Sequence, residues 1–379
     1  MAALAKRHFP ALDGIRGLAA LAVLFLHVFY GSMYSYLHEI PLNNWHGKAD
    51  LVASLSRYGW AGVDLFFVLS GFLITRILRA TIHQPGAVRD FFVKRASRIF
   101  PLYYLVLAII ALTGLSLPFL ILSSMFLMNL MPLFPPGREY AIVWSLSIEM
   151  QFYLFWPFVV RASTRRQLGL VAAAILLLCP VVRELMIWYA PNYQFSWVRI
   201  DGMAWGVLLA LGLEAKGDST FLPISVIAMA VGTAVFLSAI LGKAGLTVSH
   251  QFSIEMVGAQ IFSCGLVAFG ISNPGNKSIL ANLWLRKLGE ISYGVYLIHP
   301  AMMMLWDHFD PIVHGSVSFL TISARAGFVA AATLTLATVS FYRFEKPAAS
   351  WINSKFKLRD STNAEQGVIA LGPKDRFPR

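Results

Sequence analysis

The chain has 379 residues, of which 57% are hydrophobic and only 13% charged, with a formal charge of +12 and a mean hydropathy of +0.64. A soluble domain carries about 25% charged residues, and soluble cores stop growing near ~250–300 residues. The composition excludes a disordered chain, a fibrous repeat and a disulfide-stapled secreted fold, and it makes lipid the solvent for much of the sequence. The basic excess needs no nucleic acid to explain it, because cytoplasmic loops of membrane proteins are rich in Lys and Arg.

A membrane helix needs about 20 apolar residues to cross ~30 Å of hydrocarbon. Taken in chain order, ten runs qualify. The first, 15–36, follows Lys6 and Arg7 and superficially resembles a secretory signal. Arg16 interrupts its approach and no small-x-small cleavage site closes it, so it reads as a retained transmembrane helix. The second is 60–78 and the third 101–122. An apolar patch from Ser123 to Phe134 follows, of re-entrant or interfacial type, until Pro135-Pro136-Gly137 breaks it. The remaining runs are 141–160, 168–189, 198–213, 222–241, 254–271, 289–306 and 318–342, the sixth being short and opening with Arg199 and Asp201. The expected fold is all-α, a polytopic membrane helix bundle. It divides into a transmembrane domain over 1–347 and a basic, partly disordered cytoplasmic tail over 348–379, with no internal repeat and no appended soluble domain. Cys179 and Cys264 lie far apart in apolar runs and read as inert buried thiols.

Basic residues set the orientation. With the N-terminus inside, 24 of the 31 Lys and Arg fall in inner segments, six fall in outer loops and Arg325 lies in the last span. Ten spans then place both termini in the cytoplasm. Such a chain is expected in a bacterial cytoplasmic (inner) membrane as a multi-pass protein.

An ionisable group inside a span costs at least ~2.5–3.5 kcal/mol on insertion scales, so the exceptions are informative. They are Arg16, His27, Asp64, Glu149, Arg199, Asp201, His299 and Arg325. Helical rise at 1.5 Å per residue brings several of them to the middle and outer part of the bundle, a polar site with a His and at least two carboxylates. Arg199 and Asp201 are equally explained as a packing pair. His27 has only Leu, Phe and Val around it, and a lone His on an apolar helix is more often a satisfied core residue than a base. Glu149 within a span points to function. On the cytoplasmic side Lys94, Arg95 and Arg98 crowd before Pro101, and Arg95 and Arg98 share a helical face. Forked guanidiniums suit phosphate oxygens, and a topological anchor explains the same charges equally well.

Seven segments read together resemble the acyltransferase-3 family of integral membrane acyltransferases: ALDGIRGLAALAVLFLH, GVDLFFVLSGFLI, KRASRIFPLYY, WSLSIEMQFYLFWP, RIDGMAWGVLLA, LGEISYGVYLIHP and the closing FEKP. The resemblance runs from Leu12 to about Pro347. It implies ten transmembrane helices and transfer of an acyl group, commonly acetyl, from coenzyme A. Implied acceptors are hydroxyls of cell-surface carbohydrates or lipid-linked glycans, or small molecules such as macrolides. The family's Arg and His of the first helix, separated by ten intervening residues, are met by Arg16 and His27, and its Arg-x-x-Arg by Arg95 and Arg98, associated with the acyl donor. In the fourth span the family often has two adjacent acidic residues, whereas here Met150 follows Glu149.

These readings combine into one expectation. Acyl transfer to a hydroxyl needs a base for the proton and a donor for the oxyanion. His27 is expected as the base, with Glu149 or Asp64 orienting it or the acceptor. Arg16, Arg95 and Arg98 would hold acyl-CoA, and the ~16 Å of helix from Arg16 to His27 matches the length of its pantetheine arm. Asp201, Arg199, Tyr293, Tyr296 and His299 are expected to line the acceptor side, and no metal is needed. The expected partners are the lipid bilayer, acyl-CoA and a carbohydrate acceptor. The competing reading is a transporter or flippase, in which buried charges mark a path. Trp45, His46, Tyr189 and Tyr193 in outer loops suit either sugar stacking or the membrane interface.

Overall fold

The computed structural model describes residues 8–31, 52, 55–113, 116–133, 142–187, 194–217, 221–242, 248–272, 278–309 and 319–356. Among them the chain is all-α. The principal helices are α1 (Pro10–Phe25), α2 (Ala61–Thr81), α3 (Ala87–Ala111), α4 (Leu117–Ser124), α5 (Val143–Ala162) and α6 (Arg165–Ile187). They continue as α7 (Asp201–Lys216), α8 (Phe221–Leu241), α9 (Val248–Ser272), α10 (Leu283–Phe309), α11 (Phe319–Ser340) and α12 (Lys346–Lys355). All-helical architecture is what lipid demands, since a helix satisfies its own backbone donors and acceptors. Among the described residues seven stretches are long and apolar enough to cross a membrane: Pro10–Phe29, Arg57–Thr81, Val143–Ala162, Arg165–Met186, Phe221–Leu241, His250–Ser272 and Ile322–Lys355. The other three expected spans correspond to α3, α7 and α10. Of these α7 has only 16 residues, α3 begins in a basic run, and Glu290, His299 and Pro300 dilute α10.

Burial separates inner helices from outer ones. Along α6 and α8 most apolar side chains face outward, Leu177 being 73% exposed, which is the surface lipid would cover. Along α2 and α9 most are buried. The helix α1 lies between two apolar cores. Its first half (Ala11, Leu12, Ile15) packs with α2, α7 and α9, and its second half (Val23, Leu24, Val28) with α2, α3, α5 and α10.

Small residues permit the close contacts. A Cβ on Gly289 of α10 would overlap the Asp13 carbonyl of α1, and one on Gly17 would overlap the Leu285 carbonyl. With His27 meeting His299 further along, the two helices run parallel.

The third span differs from the expectation of 101–122. Its helix starts at Ala87, runs through Pro101 and ends at Ala111, and a separate short helix, α4, follows. Pro101 brings no backbone donor, so the Ser97 carbonyl one turn earlier is without its intrahelical partner where the helix passes through. The apolar patch after it is a 3₁₀ segment, Met128–Leu133. Gln151 and Ser196 close a hydrogen-bonded ring on Asn129 of this segment (2.5–3.0 Å). The expected tail begins as α12, which packs on α3 through Ser97 Oγ and Asn353 at 3.1 Å. Residues 357–379 lie outside the described residues, as do Trp45, His46, Tyr189 and Tyr193 and the end of the first expected span. Both cysteines are buried and unpaired.

Candidate active site

Three polar groups occur where the sequence placed its costly charges. The first is a histidine pair. After Phe25 the helix widens into a π-helical turn, Leu26–Gly31, a feature frequent at functional sites. His27 sits at its start, with Nδ1 2.9 Å from the Val23 carbonyl. His299 on α10 is fully buried, with its Nδ1 3.0 Å from the Val295 carbonyl. The next residue, Pro300, lacks the amide that would bond the Tyr296 carbonyl, so the turn that seats His299 is partly freed from helical bonding. The two rings lie 5.0 Å apart, and His299 Nε2 is 3.3 Å from His27 Nδ1.

The bonding assigns the tautomers. A carbonyl oxygen only accepts, so Nδ1 carries the proton in both rings. The Nδ1–H of His27 is shared between the Val23 oxygen and His299 Nε2, a three-centre arrangement. In the neutral ring, His27 Nε2 is left with its lone pair, and no described residue bonds it. The sequence showed only apolar neighbours around His27. Its partners are a carbonyl one turn back and a histidine 272 residues away. Tyr296 flanks His299, with ring centroids 6.1 Å apart, and its hydroxyl meets Ser145 Oγ at 2.6 Å and donates to the Ile142 carbonyl at 2.7 Å.

The second group centres on Glu149 of α5. Ser70 Oγ donates to Oε1 and the Tyr153 hydroxyl to Oε2, each at 3.0 Å. Arg16 and Arg95 are near enough to act on this carboxylate electrostatically, and the Arg95 guanidinium lies 5.6 Å from the Tyr153 ring centroid. Arg16 is half-buried and has no hydrogen-bond or ion-pair partner among the described residues. Below it Arg98 acts on the buried Glu345, which accepts from Ser340 Oγ at 2.9 Å, and Tyr293 donates to the Ile99 carbonyl at 2.8 Å. Glu345 is the acid of the closing FEKP segment. Its position in that motif was the only signal for it.

The third group is a network of paired charges, in which the buried atoms Arg183 Nη1 and Arg199 Nε keep no hydrogen-bond partner among the described residues. Arg199 reaches Asp64 at 3.2 Å, its guanidinium 5.6 Å from the ring centroids of both Phe67 and Trp144. Asp201 pairs with Arg183, which also donates to the Val198 carbonyl at 2.8 and 3.1 Å. The Gln260 amide donates to Asp64 at 3.2 Å and to Asp201 at 2.9 Å. Arg199 and Asp201 are thus each paired, but with other partners rather than with one another. Two aspartates and two arginines, all buried, balance in charge. Arg183 carried the same intramembrane signal as Asp201, lying inside the expected span 168–189, whereas the uncharged Gln260 carried none. Asp64 is committed to this network, and neither it nor Glu149 hydrogen-bonds His27. Arg325, the charge of the last span, makes a two-pronged pair with Asp307 at 2.8 and 2.9 Å.

Comparison with known proteins decides the family, since the model for its acyltransferase domain matches residues 9–342. The chain belongs to the acyltransferase-3 family. Among curated relatives, it is 26% identical over 334 residues to "Putative acetyltransferase ORF330" of Acidianus two-tailed virus, covering 83% of this chain and 90% of that one. It is 28% identical to "Putative peptidoglycan O-acetyltransferase YrhL" of Bacillus subtilis and 25% identical to "Peptidoglycan O-acetyltransferase OatA" of Listeria monocytogenes. These two alignments cover 90% of this chain but 55% and 56% of those proteins, so the chain spans about half the length of its bacterial relatives. No solved structure matches. The motifs that place this acyltransferase in its family carry all three polar groups: Arg16 and His27, Asp64 and Ser70, Arg95 and Arg98, Glu149 and Tyr153, Asp201, His299 and Glu345.

Proposed function

We propose that this acyltransferase is a ten-span protein of a bacterial cytoplasmic membrane, with both termini inside. It moves an acetyl group from cytoplasmic acetyl-CoA to a hydroxyl of a cell-surface or lipid-linked carbohydrate. The observation that carries this reading is the pair of contacts from His27 Nδ1 to the Val23 carbonyl and His299, which occupy that nitrogen and leave Nε2 without a partner among the described residues. An imidazole nitrogen so arranged is a base poised to take the hydroxyl proton. The acceptor oxygen bonds the thioester carbonyl carbon, the carbon–sulfur bond breaks, and His27 Nε2 passes the proton to the departing sulfur. The products are an O-acetyl ester and the free thiol.

Arg16, Arg95 and Arg98 supply the donor side. The side chain of Arg16, half-buried with no hydrogen-bond or ion-pair partner among the described residues, fits an anionic or carbonyl group of the donor. Glu149, bound by Ser70 and Tyr153, balances these cations rather than orienting the base. From Arg98 through Glu149 and Tyr296 to His299 and His27, polar groups line one column through the bundle. The carbohydrate acceptor follows the names of the bacterial relatives.

The test is transfer of labelled acetyl from acetyl-CoA to a peptidoglycan-derived oligosaccharide by the purified protein in detergent. His27→Ala is expected to lose at least about 100-fold in kcat, in the range of a removed general base, while remaining folded. Near-normal transfer by that variant would remove His27 as the base.

A further inference from the structure

We propose that His299 is a positioning residue for the transfer reaction: its Nε2 shares the Nδ1 proton of His27 with the Val23 carbonyl, and the two acceptors together hold the ring in the orientation and tautomer that leave His27 Nε2 free to act. The inference rests on the reading of His27 as the base, and it departs from the expectation that His299 lines the acceptor side.

Four observations support it. The two rings meet directly, at 3.3 Å between His299 Nε2 and His27 Nδ1. His299 cannot present Nε2–H to that atom while its own Nδ1–H donates to the Val295 carbonyl, because a neutral imidazole carries one proton. Complete burial leaves its ring no solvent to bond instead. Tyr296, the adjacent polar ring, is occupied by Ser145 and the Ile142 carbonyl, so it does not compete for His299. Among the described residues no carboxylate hydrogen-bonds either histidine, so the role that an acidic residue plays in a Ser-His-Asp arrangement falls here to a neutral acceptor. A neutral partner orients the ring without placing a fixed negative charge deep in the bundle, where charge is costly.

Transfer kinetics with acetyl-CoA and the oligosaccharide acceptor separate this role from a packing role. His299→Leu removes the acceptor atom, and His299→Gln restores one at a similar reach. The leucine variant is expected to lower kcat about tenfold or more, with KM for acetyl-CoA within about twofold, and the glutamine variant to recover much of the loss. In a His27→Ala background His299→Leu is expected to lower the residual rate no further, because it acts through His27. An unchanged kcat for a folded His299→Leu protein, or an equal loss in the His27→Ala background, would overturn the proposal. If the leucine variant does not fold, the glutamine variant decides: a folded glutamine protein as slow as His27→Ala overturns it, and one near the natural rate supports it. Failure of the base reading itself shows separately, as normal transfer by His27→Ala alone.

Discussion

At the scale of single residues, the buried charges divide by whether each is ion-paired. Asp64, Arg183, Arg199, Asp201 and Gln260 bond one another between α2, α6, α7 and α9, each aspartate paired with an arginine, while Arg183 Nη1 and Arg199 Nε keep no hydrogen-bond partner among the described residues. Among the described residues His27 Nε2 and the Arg16 guanidinium have no hydrogen-bond or ion-pair partner, which leaves both with bonding capacity to offer a ligand. The division predicts opposite phenotypes. Removing one partner of a buried pair strands the other charge and costs about 3–5 kcal/mol. Asp201→Ala is therefore expected to unfold at markedly lower denaturant in detergent, and Arg183→Met in the same background to restore part of the loss by removing the stranded cation. His27→Ala is expected to unfold near the natural midpoint. A midpoint for Asp201→Ala equal to that of the natural protein would show that the network does not hold these helices together.

At the scale of elements, the parallel pair α1 and α10 sets the histidine geometry. Both carry their contact glycines toward one end and their histidines toward the other. Gly289 lies ten residues before His299, about 15 Å along the helix. A side chain at Gly289 has no room against the Asp13 carbonyl, so Gly289→Leu must push the two helices apart at that pivot. Overpacking of this kind costs about 1–3 kcal/mol, which a membrane bundle can survive. The expected outcome is a folded protein with acetyl transfer reduced about tenfold or more, since the His27–His299 contact depends on the same crossing. Full activity in a folded Gly289→Leu protein would uncouple the crossing from the site. Apolar run length located most helices, because lipid selects on length and composition. It could not locate the start of α3, where a basic stretch is helical outside the apolar run, or the π-helical turn at Leu26–Gly31, which leaves no mark in composition. Nor could it pair His27 with His299, because a contact across 272 residues is set by the helix packing and not by local pattern.

At the scale of the whole molecule, the charges that do not reach the interior argue the orientation. Arg76, Arg79, Arg89, Lys94, Arg95 and Arg98 gather around the turn joining α2 to α3, and Lys346 and Lys355 lie on α12, which packs against α3. This end of the bundle also holds Arg16 and Glu345, so the basic face and the start of the polar column coincide. The opposite end carries Arg57 beside Glu255 at 3.7 Å, a cation already matched by an acid, and His250 bonded to Glu184 at 2.6 Å. The proposed orientation puts the excess Lys and Arg on the cytoplasmic side, which would face Arg95 and Arg98 to the cytoplasm and have the histidine pair reached from nearer the outside. One protein can then draw on a cytoplasmic donor and modify an external hydroxyl without carrying the donor across. Single cysteines in a background lacking Cys179 and Cys264 test the arrangement. In intact cells a membrane-impermeant maleimide is expected to label Leu55→Cys, before α2, and to leave Lys355→Cys on α12 unlabelled until the membrane is permeabilised. Labelling of Lys355→Cys in intact cells would invert the orientation and place the basic face outside, where no cytoplasmic acetyl donor could reach it.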